Sequence, residues 1–180
     1  MQRIRIVELP AVRAACSGPL TDEARFARFN DWFSRYHAAQ PCELYPRDFM
    51  WYNERLGAQE WFYALPAGAD VRDTEGFPVV TLPHGLFAVA PCLDADLDGA
   101  ADWMRTREEL IAWAQASGRF RLYENGEGRP ERYPMFHIVS PGRLIPEGVS
   151  IENLYLPIEE RECFAEYSEN AWRRHRAAWW

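Results

Sequence analysis

Hydrophobic side chains recur at helical spacing near the start of the chain. Between Phe26 and Tyr36 an aromatic residue stands at every third or fourth position, which places the rings on one face of a helix. Thr21-Asp22-Glu23 comes just before and offers a capping residue followed by an acidic first turn. The pattern predicts an amphipathic helix over 22–39 whose aromatic stripe belongs to the core.

Short β-branched and aromatic segments surround this helix and predict strands. The polar segment 66–78 is rich in Gly and Asp, so it predicts a linker between two halves. His84-Gly85 interrupts an otherwise apolar run and indicates a bulge. Each half then has the order β-α-β-β. The predicted strands are 2–9, 49–52 and 59–65, then 79–83 with 86–90, 120–123, 133–139 and 151–158, and the second helix is 101–117.

The two halves also echo each other in residue pattern. Leu9-Pro10 corresponds to Leu82-Pro83, and Glu60-x-x-Tyr63 corresponds to Glu152-x-x-Tyr155. Such a repeat predicts an α+β domain of two β-α-β-β units, residues 1–66 and 79–158, related by a pseudo-twofold axis. We expect an antiparallel sheet with helices on one side and a ligand cleft between the repeats.

The remaining residues, 159–180, have no counterpart in the first half. Their apolar positions are near helical spacing and the segment ends in Trp179-Trp180. We expect a helical extension that docks on the body, caps the cleft or mediates a homodimer.

Glu60 is an acidic residue on an aromatic strand. Because side chains alternate along a strand, Glu60, Phe62 and Ala64 share one face, and Trp61 and Tyr63 share the other. Both faces are largely apolar, and a buried carboxylate needs a cation or several donors. Two interpretations stay open. Glu60 either reaches solvent or an Arg at a strand edge, or it floors an aromatic pocket and meets a cationic or hydroxylated ligand.

Composition and charge narrow the function classes. The chain has 180 residues, 48% of them hydrophobic, which is sufficient for one substantial core. The aromatic load of eight Trp, eight Tyr and ten Phe favours a binding cavity as well as a core. The net charge of −7, with every basic residue an Arg, argues against nucleic acid as a direct partner.

Cysteine spacing and hydropathy indicate the compartment. The four Cys residues are scattered, with no CxxC pair, which is typical of free thiols in a reducing cytoplasm. We therefore expect a cytoplasmic protein without a membrane segment, since no apolar run reaches membrane length. Asp94, Asp96 and Asp98 suggest a calcium loop, but Arg105 stands where that loop needs Glu. The sequence predicts neither a metal nor a cofactor.

Taken together, these motifs resemble the GyrI-like small-molecule-binding domain, which also forms the effector-binding part of AraC-type and MerR-type regulators. The resemblance covers about residues 2–158. It is carried by the duplicated order and by Leu82-Pro83-His84-Gly85-Leu86-Phe87-Ala88-Val89, which is similar to the family's LP-x-G-x-(Y/F)-A-V. The strand that begins at Glu60 and the ending Leu154-Tyr155-Leu156-Pro157-Ile158 add to it.

The resemblance implies a cleft for lipophilic, often cationic, compounds, with Glu60 as the acidic residue among aromatic walls. Some family members resemble hydrolases that open strained cyclopropane-containing toxins with a pocket Glu and Tyr. By that analogy Glu60 is the catalytic candidate, with Tyr133 or Tyr155 as its partner. The ligand-binding residues implied are Trp51, Glu60, Phe62, Phe87, Tyr133, His137 and Tyr155.

The chain opens on its first strand, without the helix-turn-helix region that precedes this domain in regulators. We therefore expect a stand-alone domain. Three functions remain open: a binding module for sensing, sequestration or resistance, a hydrolase of small electrophilic toxins, and a protein-interaction module that inhibits a larger enzyme such as a gyrase.

Overall fold

The computed structural model describes residues 4–40, 47–95, 99–138 and 149–161. Within these ranges the chain forms two α-helices, one 3-10 turn and an antiparallel sheet. The helices are α1 (Glu23–Ala38) and α2 (Gly99–Ala116), and the 3-10 turn is Val71–Thr74. The strands are β1 (Arg5–Leu9), β2 (Val12–Pro19), β3 (Asp48–Asn53), β4 (Ala58–Ala64), β5 (Val79–Leu82), β6 (Gly85–Ala95), β7 (Phe120–Leu122), β8 (Met135–Ile138) and β9 (Val149–Glu160).

The strand order reveals the internal symmetry. The sheet runs β1-β6-β9-β8-β3-β4-β2-β5, with β7 paired to β9 outside this path. The counterparts in the two halves are β1 and β5, β2 and β6, β3 and β8, and β4 and β9. Exchanging every strand with its counterpart gives the same order read backwards, as a pseudo-twofold axis between β3 and β8 requires. The sheet curls strongly into a half-barrel. The predicted α+β fold, with a duplicated unit, an antiparallel sheet, helices on one side and a cleft, is confirmed.

Each unit nevertheless opens with two strands rather than one. In the first unit β2 was not predicted, because Ala14, Ala15 and Cys16 are small side chains with little intrinsic strand preference. Both faces of β2 are covered, so its sequence does not show the alternation of apolar and polar residues that would predict a strand. Ala15 packs under α1, while Ala14 and Cys16 pack with Phe62 on the opposite face.

The second unit shows the same division. Residues 79–95 form two strands that pair with different partners, β5 with β2 and β6 with β1, so the predicted bulge at His84-Gly85 is wrong. The connection between them is Pro83-His84, where the chain moves from the β5 end of the sheet to β6 near the other end, and Gly85 already belongs to β6. β9 continues to Glu160, two residues beyond its predicted end. The rest of the predicted helical extension, 162–180, lies outside the described residues.

Both helices cover the same face of the sheet, which we call the helix face. A row of cross-strand partners shows this, because directly paired residues point the same way. Trp61 of β4 pairs with Met50, Met50 with Phe136, and Phe136 with Leu154 of β9. Trp61 packs under α1 and Leu154 packs under α2. The opposite, concave face is therefore free of helices in the described part of the chain.

The first helix follows its predicted boundaries closely. Asp22 caps α1 by accepting a hydrogen bond from the Arg25 amide at 2.8 Å. Phe29 and Trp32 are fully buried against Trp61 and its neighbours, as the aromatic stripe predicted. Among the described residues, neither helix is long and apolar enough to cross a membrane.

One correspondence between the repeats is wrong. Glu60 faces the concave side, whereas Glu152 has the same strand parity as Leu154 and faces the helices. Tyr63 likewise lies under α1, while Tyr155 packs with Phe87 on the concave face. The sequence match between Glu60-x-x-Tyr63 and Glu152-x-x-Tyr155 is offset by one residue from the structural repeat. An offset of one residue places every side chain of a strand on the opposite face.

Candidate functional site

A single row of paired residues crosses the concave face. Glu60 of β4 pairs with Trp51 of β3, Trp51 with Met135 of β8, Met135 with Tyr155 of β9, and Tyr155 with Val89 of β6. Paired residues share a face, so the two repeats contribute side chains to one continuous surface across the pseudo-twofold axis. The curl of the sheet turns this surface into a cleft.

This cleft contains a cavity of about 390 Å³, here called the main cavity. Its size is within the range of small-molecule sites. Its aromatic walls hold one another in edge-to-face contacts, with ring centroids 5.7 Å apart for Phe49 and Tyr155 and 5.3 Å apart for Trp51 and Tyr133. The lining residues are Leu9, Pro10, Val12, Arg47, Phe49, Trp51, Ala64, Leu82, Pro83, Phe87, Arg132, Tyr133, Met135, His137 and Tyr155.

Five of the seven residues expected to bind ligand line this main cavity. They are Trp51, Phe87, Tyr133, His137 and Tyr155. The other two, Glu60 and Phe62, line an adjoining side cavity of about 310 Å³. Trp51, Leu82 and Pro83 line both cavities and so form the wall between them.

Glu60 is buried, with 8% of its surface exposed, and its carboxylate is held by neutral donors. Its Oε2 accepts hydrogen bonds from Trp51 Nε1 at 2.9 Å and from Asn53 Nδ2 at 2.8 Å. The Cys16 thiol lies 3.9 Å from Oε1. Neither sequence interpretation foresaw this arrangement. Glu60 is neither at a solvent edge nor on the floor of the main cavity, and its hydrogen bond fixes the Trp51 ring in the dividing wall.

A bulge in β2 places Cys16 beside this carboxylate. The pairing of β2 with β4 shifts after Cys16, and Ser17 Oγ accepts the hydrogen bond from the Trp61 amide at 2.9 Å. Burial, and then the nearby Glu60, raise the pKa of the Cys16 thiol to about 11. The thiol is therefore protonated at neutral pH and is a poor nucleophile.

A second buried carboxylate lies at the edge of the main cavity. Asp48 Oδ2 accepts a hydrogen bond from Trp61 Nε1 at 2.8 Å, and its Oδ1 is 3.8 Å from His137 Nε2. Burial raises the pKa of Asp48, although the Trp61 hydrogen bond and the His137 charge act in the opposite direction. Sequence reasoning missed Asp48, whose only signal was an acid at the start of an otherwise aromatic strand.

Arg132 is a functional candidate that sequence reasoning did not select, because it lies in a charged loop. Its Cζ lies 4.3 Å from the centre of the Tyr123 ring. The guanidinium also lies against Gly85, where an added Cβ would stand 2.7 Å from Cζ. The glycine of the LP-x-G motif thus makes room for this side chain, and that link between Gly85 and a loop 47 residues away was the available signal.

Metal binding finds no support in the described part of the chain. There, no group of three or more His, Cys, Asp or Glu side chains is arranged to hold a metal ion.

Comparison with known proteins gives the fold but no sequence relationship. The EcmrR C-terminal domain has a TM-score of 0.58 at 8% identity, covering 89% of this chain and 99% of that one. SAV2435 bound to tetraphenylphosphonium gives 0.50 at 12% identity, covering 87% and 94%. A hydrolase from Listeria innocua gives 0.52 at 11% identity, covering 88% and 92%. No protein-family model and no curated protein matches the sequence.

Proposed function

We propose that this chain is a small-molecule-binding domain of the GyrI-like type, and that its main cavity holds a lipophilic aromatic compound. The observation that carries the proposal is the cavity of about 390 Å³ with five aromatic walls from both repeats. Apolar walls with a few polar groups are typical of ligand sites rather than of idle surface clefts. Trp51, Phe87, Tyr133 and Tyr155 would contact the rings of the ligand.

The structural neighbours support this function by analogy. SAV2435 has a similar fold and binds tetraphenylphosphonium, a lipophilic cation. A cation in this chain would meet a carboxylate in the side cavity, where Glu60 lies behind Trp51. The proposed function itself requires a lipophilic ligand in the main cavity and holds for either sign of charge.

A ligand titration tests the proposal. Thermal unfolding is followed with increasing tetraphenylphosphonium and with the neutral aromatic 2-naphthamide, because a ligand that binds only the folded state raises the melting temperature. At a hundredfold excess over Kd the expected rise is about 5–10 °C. No rise with either compound would contradict the proposal.

A blocking variant locates the site. Val12→Phe adds a ring at a half-buried position that lines the main cavity, so it should abolish the ligand-dependent rise. Val71→Phe is the matched control, because Val71 is 51% exposed in the 3-10 turn and lines neither cavity. Equal ligand response in the two variants would place the ligand outside the main cavity.

A hydrolase is the second candidate, favoured by the buried carboxylate of Glu60 next to the dividing wall and by the Listeria innocua neighbour. Glu60→Gln tests it cleanly. The amide oxygen can still accept from Trp51 and Asn53, so the wall stays in place while the acid/base is lost. Turnover of a strained-ring electrophile, measured by mass spectrometry, should vanish in this variant if the chain is an enzyme. Inhibition of gyrase stays a prediction, to be tested by a supercoiling assay.

A further inference from the structure

The side chains that carry a full charge in the lining of the main cavity are arginines. Among the residues that the structure describes, this lining includes Arg47, Arg132 and His137 but no Asp or Glu. Two buried acids lie beside the cavity, and Asp48 Oδ1 is 3.8 Å from Nε2 of the lining residue His137. Glu60 accepts from Trp51 in the side cavity, and Asp48 accepts from the Trp61 indole on the helix face.

Arg132 is the basic group whose charge is least compensated. Arg129 and Arg132 both lie over the Tyr123 ring, at 4.2 and 4.3 Å from its centre. Arg129 also pairs with Glu159. For Arg132, no carboxylate lies within ion-pair distance in the described ranges, and its Nε is buried without a hydrogen-bond acceptor. Because Nε is closed off from solvent, a ligand in the main cavity would reach this guanidinium through its Nη atoms.

The position of Arg132 is fixed before any ligand arrives. Its backbone N–H donates to Asn125 Oδ1 at 2.8 Å, and its carbonyl accepts from Asn125 Nδ2 at 2.9 Å. Tyr123 Oη donates to the Pro130 carbonyl at 2.6 Å, which closes the same loop. Gly85 leaves the space that the guanidinium occupies. A preorganised donor loses little entropy on binding and so favours affinity.

Resting on the proposed function, we infer that the main cavity selects an aromatic monocarboxylate, with Arg132 as the group that binds its carboxylate. The two Nη groups of a guanidinium present the fork from which a carboxylate accepts two parallel hydrogen bonds. The aromatic walls take the ring, and Arg132 sets the sign of charge. This reverses the charge preference implied by the family resemblance.

The test uses three probes of one shape: 2-naphthoate, 2-naphthamide and 2-naphthylmethylammonium. Isothermal titration of the full chain should show the carboxylate binding about tenfold or more tighter than the amide, the difference expected for charge-assisted hydrogen bonds. The ammonium should bind weakest. Raising the salt concentration should reduce the preference without removing it, since the site is partly buried.

Variants assign the preference to one side chain. Arg132→Gln should remove the preference, so that the carboxylate and the amide bind with similar affinity in this variant. Arg129→Gln is the matched control, because it removes a charge over the same Tyr123 ring and should keep the preference. Arg132→Lys keeps the charge but loses the fork, so it should retain only part of the preference.

The outcomes separate the two proposals. Amide binding that Val12→Phe abolishes, without preference for the carboxylate in the unaltered chain, overturns the anion site and leaves the binding function standing. An undiminished carboxylate preference in Arg132→Gln overturns the assignment to Arg132. Failure of all three probes to bind the unaltered chain overturns the anion site, and if tetraphenylphosphonium also fails to raise the melting temperature, it overturns the binding function as well.

Discussion

Replacing Glu60 by Ala should destabilise the protein, while Glu60→Gln should not. In Glu60→Ala the Trp51 indole N–H and the Asn53 amide lose their shared acceptor. A buried donor without a partner costs about 1–3 kcal/mol. Asn53 is buried and Trp51 is half-exposed, so the two together give a loss of about 2–4 kcal/mol in the free energy of unfolding. In Glu60→Gln the amide oxygen preserves both hydrogen bonds.

Urea denaturation at pH 7 measures this difference directly. Glu131→Ala is a suitable control, because Glu131 lines the same side cavity but its ion pair with Arg55 is exposed. An exposed pair is worth about 0–1 kcal/mol, so this variant should unfold close to the parent midpoint. Equal destabilisation by Gln and Ala at position 60 would refute the reasoning, since it would make the charge, and not the accepted hydrogen bonds, the stabilising feature.

Three further predictions concern buried groups near the cavities. The Cys16 thiol has a pKa of about 11 in the folded state against 9.0 for the free group, so the unfolded state loses this proton at a lower pH than the folded state does. The free energy of unfolding should therefore fall by about 2–3 kcal/mol between pH 9 and 11. Urea titrations of Cys16→Ala should show a weaker dependence on pH over this range. Burial raises the pKa of Asp48, so its ionisation opposes folding at pH values above the pKa of a free Asp carboxyl. Asp48→Asn keeps an acceptor for the Trp61 N–H and removes the charge. This variant should therefore raise the urea midpoint at pH 7 but leave it unchanged at pH 3. Gly85→Ala should push the flexible end of the Arg132 side chain aside with little change in the melting temperature, and it should weaken the preference for the carboxylate probe; an undiminished preference would contradict the close approach.

Local patterns predicted the elements that carry large apolar side chains. The aromatic stripe of α1 and the alternation of β4 follow directly from periodicity, and the structure places Trp61 and Tyr63 under the helix and Phe62 on the other face. The strand β2 escaped because both of its faces are buried and its side chains are small. Its stability comes from pairing with β4 and β5, which no local pattern records.

The residues of the candidate site likewise differ in how far the sequence could predict them. The family resemblance pointed to aromatic residues on predicted strands, such as Phe87 and Tyr155, but strand register decides which face they occupy, and both lie on the concave face. The role of Arg132 depends on Gly85 and Tyr123, and these contacts exist only after the loop has folded onto β6. Glu60 shows a related limit. Its strand and its face were predictable, but the choice between two adjoining cavities depends on the rotamer of Trp51.

The exchange of opening strands between the two units has a consequence for synthesis in the cell. Arg5–Leu9 completes its ladder only with Gly85–Ala95, and Val12–Pro19 gains its outer neighbour only from Val79–Leu82. The first half emerging from a ribosome therefore carries two strands with open edges until the second half is translated. Such long-range pairing slows folding and leaves edges open to wrong partners in the meantime. Each repeat therefore depends on the other for a neighbouring strand, and we expect a half-length chain to keep exposed strand edges.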